Sequence, residues 1–179
     1  KNSLEIYNSL RKTLQHMLKL FPDDSWTHSH YGNWAWTQEK YFLAEKHLQR
    51  SLELQEVYPW ASFRLGVVYF SQEKWLLALE LFEDGLKHEP ENAWAIQQTA
   101  FILEKLGNND QAIARYEWLM DNAPPNLFII NRLSKVYWNE FLFEKGEKTL
   151  LRGLKKFPLQ TELVDKLLTY YDSHRLFEK

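Results

Sequence analysis

The sequence predicts an all-α fold, a right-handed α-solenoid built from helix–turn–helix repeats. Three observations lead there. Pro90, Pro124 and Pro158 stand 34 residues apart, and Pro22 lies two periods before Pro90. Between these nodes small and large residues recur at fixed places. Within the candidate helices apolar residues repeat at intervals of three and four, as one buried face requires. A fixed period of this length marks a solenoid, whose units bury their apolar faces only against their neighbours. Glu56 takes the missing proline node, with Pro59 three residues later.

Four full units follow, 25–58, 59–92, 93–126 and 127–160, each read as two helices. Place eight is small (Gly32, Gly66, Ala100, Ser134), and place twenty is small (Ala44, Ala78, Ala112, Gly146). Place twenty-four is large (Leu48, Phe82, Tyr116, Leu150). Place eleven is large in three units (Tyr69, Leu103, Tyr137) and is Ala35 in the first.

The helices are expected at 2–20, 25–38, 41–54, 59–72, 75–88, 93–106, 109–122, 127–140, 143–156 and 161–172. The opening helix reads as the second half of an earlier unit, with Leu10, Leu14, Met17 and Pro22 in register. Asp24 and Ser25, Asn92, Asn126 and Thr161 mark starts, since each can accept a bond from a free helix N–H. In 75–88, Trp75, Ala78, Leu79, Phe82 and Leu86 fall on one face. Gly107 followed by Asn108-Asn109 reads as a helix end and a new cap. Pro124-Pro125 stops the helix before it. The closing helix reads as the first half of a later unit, with Val164, Leu167, Leu168 and Tyr171 in register, and 173–179 as a frayed tail. The whole chain, 1–179, is therefore expected to form a single array, with a half unit at 1–24. The start at Lys1 and the opening half unit read as a fragment, with further repeats before it in the parent.

The pattern resembles the tetratricopeptide repeat (TPR), a helix–turn–helix unit of the same length. Leu65, Gly66, Tyr69, Ala78, Phe82 and Pro90 stand in the family's positions, and the resemblance covers about residues 1–172. The departures are Ala35, Glu56 and the absence of tryptophan at place four (His28, Ser62, Ile96, Ile130). The resemblance implies a concave groove lined by the first helix of each unit through places two, five, nine and twelve. These places hold Trp26, Ser29, Asn33 and Trp36, then Trp60, Phe63, Val67 and Phe70. Trp94, Gln97, Phe101 and Glu104 follow, then Phe128, Asn131, Lys135 and Trp138. Such a groove is rich in aromatic rings, with amides between them, and suits peptide side chains or sugar rings. Asn33, Trp36, Trp60, Phe63, Val67, Phe70, Trp94, Gln97, Phe101, Asn131, Lys135 and Trp138 are the expected partner-binding set. The family's lysine-rich carboxylate clamp is not expected, because Ser29, Trp60 and Val67 stand where basic or amide side chains are needed.

Composition narrows the function classes. The chain has 179 residues, 45% apolar and 16% aromatic, enough to bury a large core. It contains no cysteine, so disulfides and thiolate metal sites are excluded. That fits a cytoplasmic or a bacterial periplasmic protein, and the compartment stays open. No apolar run approaches the length of a membrane span, so no membrane insertion of this fragment is expected. The net charge of −2 argues against nucleic acid as a partner. The charge is uneven: five basic and ten acidic residues in 59–124, ten basic and seven acidic in 125–179. His28 and His30 diverge on a helix, and the other histidines read as isolated, so no metal site is expected. There is no Gly-rich phosphate loop and no pairing of nucleophile with base, so neither a cofactor nor an enzyme is expected.

The leading expectation is a protein–protein interaction module that holds a partner segment in its aromatic groove. Two alternatives stand beside it. One is a glycan-handling or regulatory region of polysaccharide machinery or of a glycosyltransferase. The other is a scaffold that self-associates through the ends of the array.

Overall fold

The computed structural model describes residues 3–55 and 57–177; the side chains of residues 3, 4 and 174–177 are not described. Glu56 and Lys1, each singled out in the sequence, lie outside the described residues. Among the described residues there are ten α-helices and no strand. They are α1 (Ser3–Leu20), α2 (Ser25–Thr37), α3 (Tyr41–Leu54), α4 (Pro59–Ser71) and α5 (Trp75–His88). Then come α6 (Ala93–Lys105), α7 (Asn109–Asn122), α8 (Leu127–Asn139), α9 (Phe143–Lys156) and α10 (Thr161–Phe177). Boundaries agree with expectation to within a residue, with one correction. The supposed tail is helical as far as Phe177.

The chain divides into two compact units, Lys1–Ala95 and Ile96–Lys179. In the first, α2 packs on α3 and α4 on α5, while α1 covers α2 and α3 meets α4. The small residues explain the close approach. A Cβ placed on Gly32 would lie 2.6 Å from Leu48 Cγ and 3.0 Å from the Ala44 carbonyl oxygen. At Gly66 it would lie 3.2 Å from the Phe82 ring. Places eight, twenty and twenty-four therefore meet at one crossing, with Ala44, Leu48, Ala78 and Phe82 wholly buried. In the second unit α8 packs on α7 and α9, and α9 on α10. Ile130, Leu150, Leu163 and Leu167 form its core cluster.

Three of the expected caps are made. Asp24 Oδ2 accepts from Thr27 N at 2.8 Å, Asn92 Oδ1 from Ala95 N at 3.1 Å and Asn126 Oδ1 from Phe128 N at 2.8 Å. Ser25 instead bonds Ser51 on α3. Asn108 occupies the N-cap of α7 without a side-chain bond.

The turn inside each repeat has one backbone form. Place fifteen is left-handed in all four: Glu39 (φ 57°), Glu73 (57°), Gly107 (78°) and Phe141 (59°). The N–H of place sixteen returns to the carbonyl of place eleven, as in Lys74 to Tyr69 (3.0 Å) and Leu142 to Tyr137 (2.8 Å). The N–H of place fifteen bonds the carbonyl of place twelve, as in Glu73 to Phe70 (3.0 Å) and Phe141 to Trp138 (3.1 Å). This is the Schellman closure of a helix C-terminus.

Candidate functional site

The expected binding residues fall in both compact units. In the first, Trp26 at 49% and Trp94 at 44% are exposed, while Trp60 is half-buried. Trp26 lies 4.0 Å from the His30 ring, and His30 lies 4.8 Å from Trp60. The Arg64 guanidinium sits 5.1 Å over Trp60. Burial, and then the Arg64 charge, lower the pKa of His30 below the usual histidine value. The ring thus sits between Trp26 and Trp60, with the Arg64 guanidinium over the latter.

Place twelve is half-buried against the next turn. Trp36 Nε1 donates to Ser71 Oγ at 3.0 Å, and Phe70 meets Trp75 edge-on at 5.3 Å. Asn33 and Val67 are half-buried, and Asn33 Oδ1 has no hydrogen-bond partner among the described residues. Phe63 is a correction. It is 5% exposed, wedged between α4 and α5, with Gly85 beneath its ring and Phe82 and Trp94 beside it. A side chain so enclosed belongs to the core and offers no contact surface. Ser29 is likewise buried, its hydroxyl donating to the Trp26 carbonyl at 2.7 Å.

In the second unit, Gln97 Oε1 accepts from Asn126 Nδ2 at 3.2 Å. Phe101 is half-buried, with Phe128 at 6.2 Å and the Arg132 guanidinium at 4.6 Å. Glu104 is occupied: its Oε2 accepts from Arg132 Nε at 2.9 Å and from the Tyr116 hydroxyl at 3.2 Å.

Asn131, Lys135 and Trp138 come together with α9 and α10 around a pocket of about 220 Å³. Trp138 and Leu150 give it an apolar wall, and Asn139 and Thr169 add polar groups. Lys166, also in the lining, donates to Asn131 Oδ1 at 2.6 Å and to Glu162 Oε1 at 2.9 Å. Lys135 is exposed and makes no ion pair among the described residues. The pocket thus joins two ammonium groups, two amides and an indole. Lys166 was missed in the sequence because it belongs to the closing helix, outside the four full units. Lys135 and Lys166 line one pocket.

The histidine reading also needs correction. His47 is not isolated. His28 and His47 stack with ring centres 5.0 Å apart and Nδ1 atoms 3.0 Å apart. His28 Nε2 donates to the Pro22 carbonyl at 2.9 Å. Burial, then the His28 and Lys46 charges, lower His47 to about 4. Among the described residues no group of three His, Cys, Asp or Glu side chains is placed to hold a metal ion. No helix of the described residues is long and apolar enough to cross a membrane.

Solved structures share this arrangement. YrrB, a TPR protein with an unusual peptide-binding site, matches with a TM-score of 0.79 at 15% identity, over 90% of this chain and 84% of its own. The chain has a TPR fold. MamA matches with a TM-score of 0.80 at 17% identity, covering 89% of this chain and 94% of its own. MamA from residue 41 onward of Desulfovibrio magneticus gives 0.76 at 14% identity, covering 89% and 98%. No model of a protein family matches the TPR chain, and no curated protein sequence does.

Proposed function

We propose that this TPR chain is a protein–protein interaction module that holds a segment of a partner against the first helices of its repeats. The observation that carries the reading is the α8–α10 pocket. Its volume of about 220 Å³ suits one or two side chains of a peptide. Trp138 supplies a flat apolar wall, Asn131 an amide, and Lys135 and Lys166 positive charge. The 125–179 segment carries ten basic against seven acidic residues, which favours an acidic partner segment. The peptide-binding site of YrrB, a protein of the same fold, supports the same class of ligand. Stacking in the first unit favours peptide over glycan. Trp60 has His30 and Arg64 against it, so it offers no bare platform for a sugar ring.

The test is selection of random peptides displayed on phage against the protein, followed by binding titrations with synthetic copies. Selected peptides should be enriched in Asp and Glu, and Lys135→Glu should weaken them at least tenfold with the helical circular dichroism unchanged. Peptides insensitive to Lys135→Glu and to Trp138→Ala would overturn the reading.

A further inference from the structure

The four intra-repeat turns share a backbone form but differ in chemistry. Places fifteen and sixteen are Glu39-Lys40, Glu73-Lys74 and Gly107-Asn108 in the first three repeats, and Phe141-Leu142 in the fourth. Phe141 holds a φ of 59° and is 78% exposed, while Leu142 is 40% exposed. A left-handed backbone is unfavourable for a bulky L-residue, and exposure of an aromatic ring brings folding no burial. Glu-Lys and Gly-Asn close the same turn with the same two backbone bonds. Closure of the turn therefore does not account for Phe141 and Leu142.

Phe141 is linked to the pocket lining through Phe143. Trp138, which lines it, meets Phe143 edge-on at 5.4 Å, and Phe141 meets Phe143 at 6.0 Å. Two such ring-to-ring steps span at most roughly three residues of extended chain. Charge gives the surface a direction. Lys135 and Lys166 lie at the pocket with Glu162 paired to Lys166, a net positive end, whereas Glu140, Glu144 and Lys145 flank the turn in sequence, a net negative one. A carboxylate is attracted at the first end and repelled at the second.

We propose that the Phe141–Leu142 turn is the second half of the peptide-binding surface. It selects partner segments in which an acidic residue stands roughly three positions from a bulky apolar pair. The acidic residue enters the α8–α10 pocket, and the apolar pair covers Phe141 and Leu142. This rests on the reading of that pocket as a peptide site.

The probes are fluorescein-labelled Gly/Ser decapeptides. One pair carries a single Glu and a Leu-Phe pair three residues away, one peptide in each chain direction. Two controls carry the Glu alone or the Leu-Phe alone. Fluorescence anisotropy should show one complete peptide binding at least tenfold tighter than either control. The double change F141E/L142K installs the turn of the first two repeats. It should reduce the complete peptide to the affinity of the Glu-only control, with the unfolding midpoint kept. Phe141→Gly, which relieves the backbone, is the second variant and should weaken the complete peptide in the same direction. If complete and Glu-only peptides bind equally, and both depend on Lys135, the apolar half is overturned and the pocket reading survives. If no acidic peptide depends on Lys135, both fall. If sedimentation shows that F141E/L142K dissociates an oligomer without changing peptide affinity, the turn serves self-association, and the proposal is overturned.

Discussion

Gly107→Ala isolates the backbone term of the repeat turn. Gly107 has a φ of 78°, and a Cβ placed there meets no atom within 4 Å. No clash contributes, so the change reports only the left-handed conformation. An L-residue in that region costs about 1–2 kcal/mol. Replacing glycine also reduces the freedom of the unfolded chain, which returns about 0.4–1 kcal/mol. The expected net loss is about 1 kcal/mol. For a chain of this length, that lowers Tm by about 2–4 °C. The reciprocal change Glu73→Gly, at a φ of 57°, should raise Tm by a smaller amount. Circular dichroism at 222 nm during thermal and urea unfolding measures both. An unchanged midpoint for Gly107→Ala, or a lower one for Glu73→Gly, would refute the left-handed assignment of the turn.

Three further outcomes are expected. Gly66→Leu should destabilise by about 2–4 kcal/mol in urea unfolding, because the Phe82 ring would lie 3.2 Å from the new Cβ alone and the crossing has no room for three more carbons. Gly146→Ala should stabilise by about 0.5–1 kcal/mol, since its Cβ would meet Ser134 O at 3.5 Å and Tyr137 Cβ at 3.6 Å, both ordinary contacts, and helix interiors favour alanine. Stability should fall as pH drops from 6.5 toward 4, because His47 is held near 4 in the folded state and the unfolded chain takes up its proton first. At full strength that gap is worth about 3 kcal/mol, but the ring is half-buried and screening leaves about 1 kcal/mol. His47→Gln should flatten the slope of urea midpoint against pH, with His30, also lowered, leaving a remainder.

The helices were legible because their limits are set by local chemistry. Prolines cannot continue a helix, Asp and Asn cap one, and small residues mark where two backbones cross. Turn conformation was hidden, because backbone bonds close it and allow glutamate or phenylalanine in a left-handed position. Only Gly107 announced itself. The His28–His47 pair was hidden for another reason: its members sit on successive helices and meet only when α2 packs on α3. The candidate site was legible by place but not by orientation, and α4 shows why. Ala61, Ser62, Phe63, Leu65, Gly66, Val68 and Tyr69 are buried on it over more than half of its circumference, and the half-buried Trp60, Val67 and Phe70 carry apolar surface round most of the rest. A helix that is apolar all round gives no periodic signal for its outward side. Trp60 and Phe63 are three residues apart and both aromatic, yet Phe63 turns inward because Gly85 leaves room for its ring. The absence of a side chain on α5 thus draws Phe63, and not Trp60, into the core. α8 is more explicit, because Asn131 and Lys135 break its apolar surface on one side. That polar stripe, one helical turn long, is where the pocket forms.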